Sequence, residues 1–134
     1  MTPHRSETLP VGQESDLLAI RQLVKARAVE LGLNSFGRTK LVTVASELGR
    51  NTLIHGGGGT MVLETVVNND RRGLRLTFED EGPGIIDLKQ AMTDGFTTKG
   101  GLGLGLSGSK RLVNEFQIAS RVGKGTRVMV TFWA

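Results

Sequence analysis

Three stretches of the chain carry apolar residues at helical spacing, and several others carry them in alternation. Leu17, Ile20, Val24, Ala28 and Leu31 recur three and four apart, which predicts an amphipathic helix over residues 13–31, closed by Gly32. Leu41, Val44, Ala45, Leu48 and Thr52 repeat that spacing in a second helix, capped by Asn34 or Ser35 and stopped by the glycines at 56–59. Ahead of the first helix, residues 7–11 read as a short strand. After the second, the β-branched run 61–67, turn chemistry at 68–73 and the alternation of 74–80 predict a hairpin. A loop over 81–84 and a short helix over 87–92 come next. Residues 93–103 are too polar and glycine-rich for a regular element and predict an irregular loop. Helical spacing resumes over 104–116, and strands at 118–122 and 126–133 flank a turn at 123–125. Helices and antiparallel strands segregated in this way predict an α+β sandwich, one sheet with its helices on one face.

Length and composition narrow the classes. The 134 residues suffice for one ordinary domain, 1–134, with its own core. Without cysteine the chain holds neither disulfides nor a thiolate metal site, and its composition suits a reducing cytoplasm. The polar first ten residues lack the apolar stretch of a secretory signal, and no apolar run reaches transmembrane length, so a cytoplasmic protein with no membrane partner is expected. A net charge of +4 attracts polyanions without choosing among them. Five Phe, one Trp and no Tyr do not interleave with Lys or Arg as in a base-stacking platform, so no nucleic-acid partner is expected. Glycine stands out at 19 residues, ten of them in the stretches 56–59 and 95–108, where the backbone must turn sharply or approach a ligand.

Three constellations carry chemistry. Glu47, Asn51 and His55 are spaced by four along the second helix, so they stack beside its apolar stripe. A carboxylate that orients a hydroxyl, one turn from an amide oxygen suited to Mg²⁺, fits phosphoryl transfer; a solvated helix edge has the same spacing. Asp80 shares strand parity with Leu74, Leu76 and Phe78, which turns a carboxylate onto an apolar face. Hydrogen bonds must offset its desolvation, and an adenine amino group is one suitable donor, with Gly82 and Gly84 letting backbone approach the ring. A turn Asp capping the loop that follows is the other reading. Lys99, Gly101, Gly103, Gly105 and Gly108 run into a helix whose free amides and dipole favour phosphate. A dinucleotide fingerprint fails there for want of a preceding strand and a following acid, and a P-loop fails because Lys110 comes one place late. In the final strand Thr126 shares the inward face of Val128, Val130 and Phe132, which offers a hydroxyl to the proposed pocket; a satisfied buried Thr is the commoner reading.

In this order, Glu47-x-x-x-Asn51, Asp80-x-Gly82-x-Gly84, Gly101-x-Gly103-x-Gly105 and the closing Gly-x-Gly-Thr126 resemble the motif series of the GHKL ATPases, the superfamily of gyrase, MutL and histidine kinases. The resemblance implies a Bergerat fold, a two-layer sandwich of one mixed, mainly antiparallel sheet covered on one face by about three helices. It further implies ATP and Mg²⁺, with Glu47 orienting the attacking group, Asn51 on the metal, Asp80 on adenine and residues 93–105 as a lid. By the same resemblance Gly82, Gly84, Ile85, Thr98, Lys99, Gly101, Leu102, Gly103, Leu104, Gly105 and Thr126 contact nucleotide. The segments ASELGRN and GLGLGLSGSKRLVNEF are similar to those of the RsbT-like serine/threonine switch kinases of bacterial stress signalling. That likeness implies a STAS-domain antagonist protein as substrate, with a sigma factor or a phosphatase as further partner; it sets no oligomeric state. Phe96-Thr-Thr-Lys99 looks more like the lid of histidine kinases, although the chain has no helical hairpin bearing a phosphoacceptor His.

Overall fold

The computed structural model describes residues 2–92 and 105–134, the side chains of 2–4 excepted. Element order is β1 (Thr2–Val11), α1 (Glu14–Glu30), α2 (Ser35–Ile54), β2 (Gly59–Asn68), β3 (Arg71–Asp80), α3 (Leu88–Ala91), α4 (Gly105–Leu112), β4 (Glu115–Arg121) and β5 (Gly125–Trp133). The five strands form one sheet in the order β1-β2-β3-β5-β4. Every pairing among the described residues is antiparallel, so no parallel pair of the expected mixed sheet occurs there.

Local chemistry explains the helix limits. In α1 the Asp16 carboxylate accepts from the Gly12 and Gln13 amides, satisfying two donors at the helix start, and Gly32 at φ +86° ends it. Asn34 supplies the cap of α2, its side chain accepting from Gly37 N at 2.8 Å. The apolar stripe of each helix is buried as its spacing requires, Leu17, Ile20, Val24 and Ala28 from α1, and Leu41, Val44, Ala45 and Leu48 from α2. Gly49 lets the helices close on one another, since a Cβ there would lie 2.9 Å from Leu17 Cδ2. These side chains meet Met61, Leu63, Leu74, Leu76, Phe78, Val128 and Val130 on the inward face of the sheet. On the other face Glu64 and Arg75 pair at 3.0 Å, and Trp133 covers Gly73 while its indole N–H donates to Glu115 Oε2 at 2.7 Å. Among the described residues no helix is long and apolar enough to cross a membrane.

Several boundaries depart from the pattern, β3 among them, which starts at Arg71 rather than at 74. Strand β1 begins at Thr2 rather than residue 7, because its first half pairs with Thr65, Val66 and Val67 of β2. The last helix ends at Leu112 rather than 116, because Asn114 is pinned to β5: its N–H donates to Thr131 O and its side-chain oxygen accepts from Trp133 N. Phe116 therefore belongs to β4, which starts three residues before the expected 118 and ends at Arg121. The irregular loop expected over 93–103 lies outside the described residues.

Candidate active site

The end of α2 lies across the ends of β3 and β5, and a cleft of about 250 Å³ opens between them. Its apolar surfaces come from Leu48, Phe78 and Val128 of the core and from Ile85, Ala91 and Leu106. Polar groups reach it at few points, chiefly Asn51, His55, Asp80 and Thr126. A narrow apolar slot with one carboxylate matches a planar heteroaromatic ring. Its volume falls just short of the range of about 300–1,000 Å³ typical of sites that enclose whole drug-sized ligands, so it suits a base rather than a whole nucleotide.

Asp80 arrives there by register. It faces Gly59 of β2 on one side and Thr126 of β5 on the other, the same strand parity that buries Leu74, Leu76 and Phe78. The turn reading of this residue is realised, and its strand parity also brings it to the cleft. Oδ1 accepts from Gly82 N at 2.9 Å, an Asp-led turn, while the side chain lines the cleft. Oδ2 lies against Gly56, where an added Cβ would sit 2.5 Å from it. Gly56 is thus what leaves space for the carboxylate. Protein backbone accounts for the neighbouring glycines: a Cβ on Gly82 would lie 2.7 Å from Gly56 Cα, and Gly84, at φ +78°, is packed on the Arg121 backbone. Gly84 and Ile85 also line the cleft.

Ser120, unnoticed in the sequence, ties this corner together. Its hydroxyl accepts from Ile85 N at 2.8 Å, lies 3.2 Å from Gly125 O and 2.8 Å from Thr126 Oγ1. With Gly123 N donating to Pro83 O at 2.8 Å, it fastens the loop after β3 to the β4–β5 hairpin. The alternation Phe116, Ile118, Ser120 would have found it had the strand been started at Glu115. Apolar residues of the slot, Leu48, Phe78 and Leu106, were legible only as core.

Glu47 lies one turn before Asn51 on α2 and is 6% exposed, with no hydrogen bond or ion pair to a described residue. It does not line the cleft itself, whereas Asn51 and His55, further along the helix, do. Glu47 is thus a largely shielded carboxylate one turn from the cleft residues of the same helix. The Asn51 amide oxygen, a hard donor at the cleft, fits the sparse protein ligation that Mg²⁺ prefers. Gly105 opens α4 at φ +70° and is buried, directly before Leu106 in the cleft wall. Thr98, Lys99, Gly101, Leu102, Gly103 and Leu104 lie outside the described residues.

Comparison with known proteins agrees with this geometry. Residues 37–134, which include every described residue lining the cleft, match the family described as histidine kinase-, DNA gyrase B-, and HSP90-like ATPase. The chain is 42% identical over 120 residues to the serine/threonine-protein kinase RsbT of Bacillus subtilis (strain 168), covering 90% of each. It is 32% identical over 123 residues to an anti-sigma F factor of Geobacillus stearothermophilus, covering 81% of this chain and 77% of that one. A crystal structure of RsbU and RsbW domains from Mycobacterium tuberculosis shares the fold, with a TM-score of 0.65 at 19% identity over 98% of this chain, which spans 33% of the solved one. With the cleft wholly inside the matched span, the chain belongs to the family of histidine kinase-, DNA gyrase B- and HSP90-like ATPases.

Proposed function

We propose that the chain is an ATP-dependent serine/threonine protein kinase of a bacterial partner-switching pathway, acting in the cytoplasm on a STAS-domain antagonist protein. The observation that carries this reading is the position of Glu47, a carboxylate without a described partner one turn from Asn51 at the margin of a base-sized cleft. The 42% identity to a serine/threonine-protein kinase supports it.

Asp80 accepts a hydrogen bond from the exocyclic amino group of adenine, and Thr126 Oγ1 serves the ring edge beside it. The Leu48, Phe78 and Val128 surfaces exclude water from the ring. Phosphates leave the slot toward Asn51 and the start of α4, and Lys99 and the glycines at 101–105 are the residues assigned to bind them. The Asn51 oxygen would hold Mg²⁺, which would supply neutralisation of phosphate charge. The substrate Ser or Thr oxygen attacks the γ-phosphorus, the bond to the β-phosphate oxygen breaks and ADP leaves; Glu47 orients the hydroxyl and takes its proton.

Purified protein, ATP labelled in the γ-phosphate and a STAS-domain protein from the same genome test the proposal. Labelled STAS protein is expected with wild type, none with Glu47→Ala despite nearly unchanged ATP affinity, and lost ATP binding with Asp80→Asn. Undiminished transfer by Glu47→Ala would remove the mechanism. The similarity to anti-sigma F factors supports a second reading, a nucleotide-gated adaptor for a sigma factor or a phosphatase. That reading requires nucleotide-sensitive capture of its partner without labelling.

A further inference from the structure

Any protein substrate must bring its hydroxyl to Glu47, and α2 restricts the direction of approach. Beyond Glu47, toward the helix end, Asn51 and His55 border the cleft assigned to nucleotide. Before it, a second depression of about 430 Å³ is lined among the described residues by Ser35, Phe36, Thr39, Lys40 and Thr43 of α2 and Leu112 of α4. Helix α4 thus contributes its first turn, at Leu106, to the cleft and its last residue, Leu112, to the second depression. The two hollows lie at opposite ends of the α2–α4 seam. At about 100° per residue, Phe36, Lys40, Thr43 and Glu47 fall within an arc of about 60°, so one helix face runs from the second depression to the carboxylate.

The chemistry of that hollow specifies its occupant. Phe36 is 69% exposed, a large aromatic left in solvent at a helix start. Lys40 Nζ sits 4.3 Å from the centroid of its ring and forms no ion pair with a described residue. Neither α2 before Glu47 nor any position of α4 carries an acidic residue, and α4 ends in Lys110 and Arg111. An apolar anchor beside the Lys40 cation, on helices with no acidic residue at these positions, complements an apolar side chain flanked by carboxylate. At about 1.5 Å per residue the path from Phe36 to Glu47 is about 16 Å, the reach of about five extended residues.

We propose that this depression docks the protein substrate. It receives an apolar residue with an acidic neighbour about 16 Å, or about five extended residues, from the acceptor Ser or Thr, so that Phe36 and Lys40 position the hydroxyl over Glu47. The inference rests on the kinase reading above and names the binding determinant of its substrate.

Steady-state phosphorylation of the STAS-domain protein by wild type, Phe36→Ser, Phe36→Leu and Lys40→Glu tests it, with ATP affinity measured for each. Exposure of Phe36 makes misfolding of its variants unexpected, and unchanged ATP affinity verifies the fold. The expected result is a KM for the protein substrate raised about tenfold or more by Phe36→Ser and Lys40→Glu at unchanged kcat, with Phe36→Leu near wild type. A Phe36→Ser enzyme with the wild-type KM would overturn the docking site and leave the kinase reading standing. A wild-type protein that labels no STAS partner would overturn the kinase reading, and the docking site with it.

Discussion

Asp80 has two tasks, holding the turn through Gly82 and lining the cleft, and Gly56 permits the second by leaving space beside Oδ2. Gly56→Ala is therefore expected to push the carboxylate out of position. The backbone at Gly56 is not among the left-handed glycines, so the strain falls on Asp80 rather than on the turn. ATP affinity should fall about tenfold or more, equivalent to about 1.4 kcal/mol, with the far-ultraviolet circular dichroism unchanged. Titration calorimetry on the variant checks this, and wild-type affinity would show that the side chain needs no such gap. Asp80 was legible in the sequence because strand parity alone turns it inward. Gly56 was legible only as the glycine that ends a helix, because the atom it accommodates comes from a strand 24 positions away. Ser120 was hidden for a similar reason: its partners Ile85, Gly125 and Thr126 come from a loop and a neighbouring strand.

Elements with a strong internal period were readable, and those defined by pairing were not. Helices α1 and α2 follow from their own stripes and caps, and the β2–β3 hairpin from its turn, where Asn69 takes φ +58°. The first half of β1 has no such signature, since its place depends on β2 some 60 residues on. Residues 113–116 look helical until Asn114 bonds β5. Strand β1 is fastened to α1 by Arg27, whose Nε and Nη2 meet both Glu7 carboxylate oxygens at 2.6 and 2.9 Å. That hydrogen bonding, with the charges of Arg27 and Arg5 and against some desolvation, holds the Glu7 carboxyl below its usual 4.5. A lowered folded-state pKa adds stability that is present above the unfolded value and lost as pH falls through the folded one. Glu7→Gln should accordingly be less stable than wild type in urea at pH 7. The difference should shrink below about pH 4.5. A gap that stays constant into acid would contradict the ion-pair account.

At the scale of the whole molecule, the fold brings the end of one helix to the ends of two central strands and leaves an apolar slot with a carboxylate inside. The residues that make the slot polar were visible as motifs, while those that give it shape serve in the core and are indistinguishable from it by pattern. Glu47 lines neither hollow, so in the proposed mechanism base binding and phosphoryl transfer fall to different residues and are expected to separate under mutation. In the proposed mechanism Asp80 reads an amino group on the bound base. Adenine presents a donor at its six-position, whereas guanine presents a carbonyl oxygen that would face the carboxylate with no proton between them. Calorimetric titration of the wild-type protein with ATP and with GTP measures this directly. The account predicts ATP binding tighter by about a hundredfold or more, the scale expected when a buried polar group loses its partner. Equal affinity for the two nucleotides would contradict it.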